Sequence, residues 1–265
     1  MNDFFTNLSP IWQSLIAALF TWSVTILGAS IVFFFKKVNK SIMDALLGFS
    51  AGVMIAASFW SLLDPAINMA NLLKMNSWLV VFIGFFSGGL LLFMGDKLYT
   101  FFTKNKKIGN DKIKRCLMLM FSITLHNIPE GLVVGVAFGS FAYAINESNL
   151  AAAITLAIGI GLQNFPEGSA VSLPLRREGL SRKKAFLFGQ LSGIVEPIAA
   201  VIGAILVLKI RTILPFLLSF AAGAMIYVVV EELIPESQTN KKKDLMALFT
   251  LIGFSVMMIL DVALG

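Results

Sequence analysis

Two segments of this 265-residue chain repeat the pattern Asn-x-Pro-Glu-Gly, which combines an amide, a carboxylate and a proline within five residues. Residues 126–131 read His-Asn-Ile-Pro-Glu-Gly, and residues 163–168 read Gln-Asn-Phe-Pro-Glu-Gly. Proline lacks a backbone N–H and clashes with the carbonyl four residues before it, so Pro129 and Pro166 are expected to kink both helices. Carbonyls freed in this way are tolerated in a membrane where they line a polar cavity.

Side chains four residues apart lie on one face of a helix, so His126 lies over Glu130 and Gln163 lies over Glu167. Carboxylates brought together at low dielectric repel one another unless a cation balances their charge. Imidazole with carboxylate suits Zn²⁺ and neighbouring transition metals, whereas an all-oxygen set would suit Mg²⁺ or Ca²⁺. The segments therefore predict an intramembrane site for a divalent metal, and acid should compete with its binding.

Other polar residues could serve the same cation. Glu196, a mid-span carboxylate followed by a proline, could complete the site. A charge at the centre of a membrane helix costs at least ~2.5 kcal/mol on insertion scales, so such residues are functional hypotheses by default. Met54 is a candidate thioether ligand, although packing is the commoner role for methionine. Candidate pathway residues at helix ends are Asp64 at the entrance and Glu231, Glu232 and Glu236 at the cytoplasmic end; interfacial solvation explains them equally well.

Composition places these residues in a membrane protein. Hydrophobic residues make up 57% of the chain and charged residues 14%, with a mean hydropathy of +0.85. Soluble domains have roughly 45–50% apolar and about 25% charged residues. Because backbone groups must be hydrogen-bonded within lipid, the apolar runs are expected to be helices. The sequence predicts an all-α polytopic protein, a single domain over residues 1–265, with spans at about 11–35, 42–63, 77–101, 116–139, 149–174, 184–208, 212–234 and 245–264.

Basic residues are distributed unevenly between the connections of these eight spans. Of the 21 Lys and Arg residues, 18 lie at or near the connections that follow helices one, three, five and seven. The positive-inside rule makes that side cytoplasmic, so both termini are expected to face outward. The net charge of +6 then reflects topology, with no nucleic-acid partner. We expect a multi-pass protein of the plasma membrane, which is the inner membrane in a bacterium.

The two motifs, together with Ala-Gly-Val-Met-Ile-Ala-Ala-Ser at residues 51–58, resemble the ZIP (Zrt/Irt-like) family of divalent metal transporters, in its GufA- or ZIP11-like branch. The resemblance implies a three-two-three helix arrangement with inverted repeats, and elevator-like movement of a unit that contains helices four and five. It also implies two adjacent metal sites that share the motif glutamates. The primary site would contain His126, Glu130, Gln163 and Glu167, and the second would add Asn127, Asn164 and Glu196.

These residues predict a carrier that moves a divalent transition metal, foremost Zn²⁺ with Mn²⁺, Fe²⁺ and Cd²⁺ as alternatives, toward the cytoplasm by alternating access. The metal is cargo, so neither a cofactor nor an enzymatic activity is expected. The partners are metal ions and the lipid bilayer, and a homodimer is one candidate assembly. Many members of the family carry His where this chain has Gln163, and a neutral amide is a weaker zinc ligand than imidazole.

Two other functions would use the same residues. One is a different cation carrier or channel, and a saturable flux would separate a carrier from a channel. The other is an intramembrane serine hydrolase, because residues 48–52 read Gly-Phe-Ser-Ala-Gly and His126 could act as the base for Ser50. The Gly-x-Ser-x-Gly motif needs a strand-to-helix turn, whereas residues 48–52 lie near the start of a predicted membrane helix.

Overall fold

The computed structural model describes residues 3–34, 39–104, 124, 127–140, 150–177 and 179–264. Within these ranges every regular element is helical and no strand occurs, which confirms the all-α prediction there. A short helix, Asp3–Thr6, precedes the first long one. The long helices are α1 (Pro10–Phe34), α2 (Lys40–Leu72), α3 (Ser77–Lys104), α4 (127–140), α5 (Leu150–Arg177), α6 (Arg182–Lys209), α7 (Leu214–Ser237) and α8 (Lys243–Leu264).

Six of the described helices are long and apolar enough to cross a membrane. They are α1, α2, α6 and α7, together with the segments Ser77–Gly95 of α3 and Lys243–Ala263 of α8. Helix α5 has 28 residues and carries Gln163, Asn164 and Glu167, which make it more polar than these six. The structure supports a multi-pass membrane protein, whereas the count of eight spans and the outward-facing termini stay predictions.

Two helices contain a wide, π-helical turn that the sequence analysis did not predict. Helix α2 widens over Ser58–Leu63 and then continues, so the prediction that it ends at Asp64 is wrong. Helix α7 widens in the same way over Val229–Leu233. A proline, Pro65 or Pro235, follows each wide turn within two residues. Because proline lacks an N–H and clashes with the carbonyl four residues earlier, the wider turn lets each helix continue past it.

Helix α6 is interrupted, although the sequence predicts one continuous span. Its first half ends at Leu191 and its second half begins at Val195. Pro197 then lies in the first turn of the second half, where a missing N–H leaves no helical hydrogen bond unmade. The break places Glu196 at a helix start instead of mid-helix. Helix α5 stays helical through Pro166, and the kink expected there stays a prediction.

The helices pack into two groups. The first helix group consists of α1, α4, α5 and α6, and the second consists of α2, α3, α7 and α8. In the described part of the chain, each glycine that closes on the backbone of another helix does so within one group, as Gly135 does on Ala200. At the seam, where α5 faces α2 and α8, side chains make the contact, and the thioether of Met257 covers Gly159.

Helices α2 and α7 also share an internal sequence pattern. Residues 51–55 read Ala-Gly-Val-Met-Ile and residues 222–226 read Ala-Gly-Ala-Met-Ile. In both helices the wide turn begins six residues after the glycine. Gly52 closes on the backbone of α8, and Gly223 closes on that of α3. This correspondence is typical of internal repeats, while the three-two-three arrangement itself stays a prediction.

Candidate metal centre

The two Asn-x-Pro-Glu-Gly motifs meet inside the first helix group. Glu130 of α4 accepts a hydrogen bond at Oε1 from Gln163 Nε2 of α5, at 2.7 Å, and both side chains are fully buried. Glu167 lies one turn further along α5 and accepts a hydrogen bond from Ser50 Oγ of α2 at 3.3 Å. The structure thus brings together three of the four predicted primary ligands, and His126 lies outside the described residues.

Glu196 of α6 forms a second polar cluster with α1 and α5. Its Oε2 accepts hydrogen bonds from Thr21 Oγ1 at 2.5 Å and from Asn164 Nδ2 at 2.9 Å, and its Oε1 accepts one from Thr25 Oγ1 at 3.5 Å. All four side chains are buried. Neither threonine was predicted from the sequence. Their four-residue spacing, which puts both hydroxyls on one face of α1, is the signal that could have revealed them.

Three predicted ligands have their amide nitrogens held by oxygen acceptors. Gln163 and Asn164 donate to the carboxylates of Glu130 and Glu196, and Asn127 Nδ2 donates to the carbonyl of Ser192 at 2.8 Å. An oxygen acceptor must face the nitrogen end of an amide, so the oxygen end of each amide is left for another partner. Those three amide oxygens and Glu130 Oε2 are buried, and no donor among the described residues reaches them.

Buried acceptors without donors are rare, because leaving one unsatisfied costs about 1–3 kcal/mol. A cation satisfies such an oxygen without donating a proton, so a metal ion fits this site chemically. The described residues place no three His, Cys, Asp or Glu side chains close enough to hold one ion. Among the described residues, the atoms available to coordinate a metal ion are therefore carboxylate and amide oxygens. Outside these clusters, Gln13 and Asp261 each hold one further buried oxygen without a described donor.

The glycine that ends each motif sets how closely the helices approach. A Cβ at Gly131 would overlap the backbone of Glu196, so α4 and α6 touch where Glu196 projects. A Cβ at Gly168 would overlap the backbone of Thr25, so α5 and α1 touch beside a donor to Glu196. The duplicated glycine therefore brings Glu196 and its hydroxyl partner to the two motifs.

The predicted pathway residues fall into different environments. Met54 is buried in the apolar core. Glu232 is half-buried on the wide turn of α7. Asp64 is exposed and accepts a hydrogen bond from Asn68 at 3.2 Å. Glu231 and Glu236 are exposed as well.

Ser50 lacks the surroundings of a hydrolase nucleophile. It lies inside a continuous α-helix, Lys40–Ala57, where the strand-to-helix turn of that motif is absent. Its hydroxyl lies 3.3 Å from both the Glu167 carboxylate and the carbonyl oxygen of Gln163. The serine therefore joins α2 to the motif of α5.

The fold and the buried polar clusters together define a multi-pass membrane protein with a polar centre enclosed by its helices. A sequence model of the family described as ZIP zinc transporter matches residues 110–261. The chain belongs to the ZIP family of zinc transporters. Members of this family are transporters, so the protein is not an enzyme and the serine hydrolase alternative is excluded.

Similar proteins indicate the branch of the family. The chain is 38% identical to zinc transporter ZIP11 of Xenopus tropicalis, over 97% of this chain and 98% of that protein. It is 36% identical to ZIP11 of Homo sapiens with the same coverage. Zinc transporter GufA of Myxococcus xanthus is 32% identical over 95% of this chain and 98% of its own. These relatives confirm the ZIP11- or GufA-like branch.

Proposed function

We propose that this protein carries divalent transition metals, with Zn²⁺ as the main cargo, across the plasma membrane toward the cytoplasm. The names of its relatives support zinc: ZIP11, the Bordetella bronchiseptica protein ZIPB and the Streptococcus mutans protein ZupT are all named zinc transporters. The structural observation that carries the proposal is a set of four buried acceptor oxygens, all on residues of the two motifs, that no donor in the described part of the chain reaches.

In this proposal the metal binds between the two motifs. His126, Glu130, Gln163 and Glu167 form the primary site, and Asn127, Asn164 and Glu196 form an adjacent second site. The nitrogen of each amide donates a hydrogen bond to an oxygen acceptor, and this leaves the amide oxygen directed toward the ion. The ligand oxygens are therefore oriented before the metal binds. The Thr21 hydroxyl holds the Glu196 carboxylate at the edge of the second site, as outer hydrogen-bond partners do in metal sites.

In this proposal, alternating access results from movement of the first helix group relative to the second. Within each group, glycines let the helix backbones contact one another directly. At the seam the helices contact one another through side chains, which can change rotamer. We infer that the first helix group moves as a unit against the second and carries the metal with it. Glu232 lies nine residues before Lys241, near the end of α7, and in this proposal it receives the ion on the basic, cytoplasmic side.

The test is metal uptake into proteoliposomes that contain the purified protein, with Zn²⁺, Mn²⁺, Fe²⁺ and Cd²⁺ offered separately. The double variant Glu130→Gln/Glu167→Gln keeps side-chain size and removes both charges. Asp44→Asn is the matched control, because Asp44 is also buried but accepts its hydrogen bond from Asn240, at 2.8 Å, in the second group.

We expect saturable uptake that survives in the control and falls by more than about tenfold in the double variant, since even outer partners of metal ligands contribute roughly 10–100-fold. Circular dichroism and gel filtration confirm that each variant is folded. Equal uptake by the double variant and the intact protein would overturn the proposal, and uptake that does not saturate would favour a channel.

A further inference from the structure

A groove of about 390 Å³ lies at the seam between the two helix groups. Its walls come from α1 and α5 of the first group and from α2 of the second, and every lining residue is apolar or glycine. The exposed rim includes Leu162, while Pro166 at the inner wall is buried. The groove is therefore open on one side, to the medium that surrounds the helices.

The position of the groove along its helices decides what that medium is. An α-helix rises 1.5 Å per residue, so Leu46 lies about 9 Å from the start of α2 at Lys40, and Pro166 lies about 17 Å from the end of α5 at Arg177. The hydrocarbon core of a bilayer is about 30 Å thick. The groove therefore opens into hydrocarbon, where lipid tails are the solvent. A polar ligand would find no hydrogen-bond partner on its walls.

We propose that this groove binds one acyl chain of a phospholipid, drawn from the leaflet on the side of Lys40. The volume lies within the range of roughly 300–1,000 Å³ that is usual for small-molecule sites. A tail seated here contacts three helices, whereas a tail along a convex helix surface contacts one. Since lipid is as apolar as the protein, retention depends on these packing contacts.

The bound tail touches both groups of helices at once. On one side it packs against Phe49 of α2, and on the other against Phe165 and Pro166 of α5. Phe165 and Pro166 belong to the motif that carries Gln163 and Glu167, so the tail supports that motif from behind. The proposal concerns lipid binding alone and does not depend on which ion is carried.

Photolabelling tests the site directly. The full chain is reconstituted in phosphatidylcholine doped with a phosphatidylcholine that carries a diazirine near the end of one acyl chain, irradiated, digested and mapped by mass spectrometry. We expect labelling at Phe49 and Leu162 to exceed that at Leu251, which is exposed on α8 away from the groove. Val24→Phe fills the groove, and Leu27→Phe is its control, one turn along α1 at an exposed position outside it.

Val24→Phe should lower labelling of Phe49 and Leu162 by at least about threefold, because several carbon–carbon contacts are lost, and should leave labelling at Leu251 unchanged. Leu27→Phe should change neither. Ile158→Phe fills the groove from α5, so the test holds even if Val24→Phe fails to fold. The proposal is overturned if Phe49 and Leu162 are labelled no more than Leu251, or if both groove-filling variants leave their labelling unchanged.

Discussion

Buried amides differ between the two helix groups in how their hydrogen bonds are satisfied. In the second group, Asn240 donates to Asp44 at 2.8 Å, while its Oδ1 accepts the backbone N–H of Lys242 at 2.9 Å. Both ends of that amide are used within the protein. In the first group, Gln163 and Asn164 use their nitrogens and leave buried oxygens without a described donor. The first pattern holds helices together, and the second is typical of a site that awaits a ligand.

Packing adds a second contrast, between the interior of each group and the seam. Within a group, a glycine allows helix backbones to touch, as at Gly131 beside Glu196 or at Gly52 beside Thr250. Such contacts are lost outright if the helices slide. At the seam, side chains such as Met257 can change rotamer and follow a movement. The molecule therefore combines two rigid units with one deformable boundary.

Cross-linking the seam should produce the largest effect. Met43 of α2 and Ser169 of α5 meet there, with 3.7 Å between Sδ and Oγ. In a Cys116→Ser background, Met43→Cys/Ser169→Cys treated with a short bifunctional thiol reagent should lose nearly all metal uptake, because the two groups can no longer move apart. Proteoliposome uptake before and after treatment measures this loss.

The matched cross-link lies within the second group. Ser41 and Asn240 are 3.2 Å apart between Oγ and Nδ2, and the pair Ser41→Cys/Asn240→Cys should keep its uptake after the same treatment. A reagent with a cleavable disulfide allows uptake across the seam to be restored by reduction. Full uptake with the seam cross-linked would contradict movement of one group against the other.

Replacing one glycine by alanine, either inside a group or at the seam, should change the stability of the protein by different amounts. Gly135→Ala would overlap the backbone of Ala200 and should destabilise the protein by about 3 kcal/mol, the upper end of overpacking costs. Gly159→Ala would meet only the flexible thioether of Met257. Because alanine stabilises a helix by roughly 0.5–1 kcal/mol over glycine, that variant should be near neutral.

Thermal unfolding of the purified variants in detergent measures the difference. Equal melting temperatures for Gly135→Ala and Gly159→Ala would mean that the seam is packed as tightly as the group interiors. The distinction drawn from glycine contacts would then be lost.

Removing a hydroxyl from the second site should have a smaller effect. Thr21→Val keeps the shape of the side chain and deletes the donor to Glu196, so the metal concentration for half-maximal uptake should rise about tenfold. Thr250→Val is the control in the second group, where the hydroxyl bonds to the carbonyl of Met246 in its own helix at 3.4 Å. Thr21→Ser retains the donor and should restore affinity. An equal rise in Thr21→Val and Thr250→Val would show a general cost of losing a hydroxyl.

The site was only partly predictable from sequence. The shared motif and its four-residue spacing placed Gln163 with Glu167, and the chemistry of carboxylates in lipid pointed to Glu130 as their partner. Thr21 was missed because its partner Glu196 is 175 residues away, and the spacing of Thr21 and Thr25 on α1 does not show which carboxylate they meet. The break before Glu196 was missed because Pro197 is compatible with either a kink or a new helix start.

The smallest expected effect concerns metal preference at Gln163. An imidazole at this position can donate one N–H to Glu130 and offer its second nitrogen to the metal, where the amide offers oxygen. Gln163→His should therefore shift competitive uptake toward Zn²⁺ over Mn²⁺ a few-fold, since imidazole suits zinc better than an amide oxygen does. Gln13→His is the matched control, because Gln13 is also buried with one oxygen lacking a described donor, yet it bonds to the carbonyl of Phe5 outside both clusters. If both substitutions shift the preference equally, the oxygen of Gln163 is not a ligand, and a buried amide oxygen without a described donor does not mark the metal site.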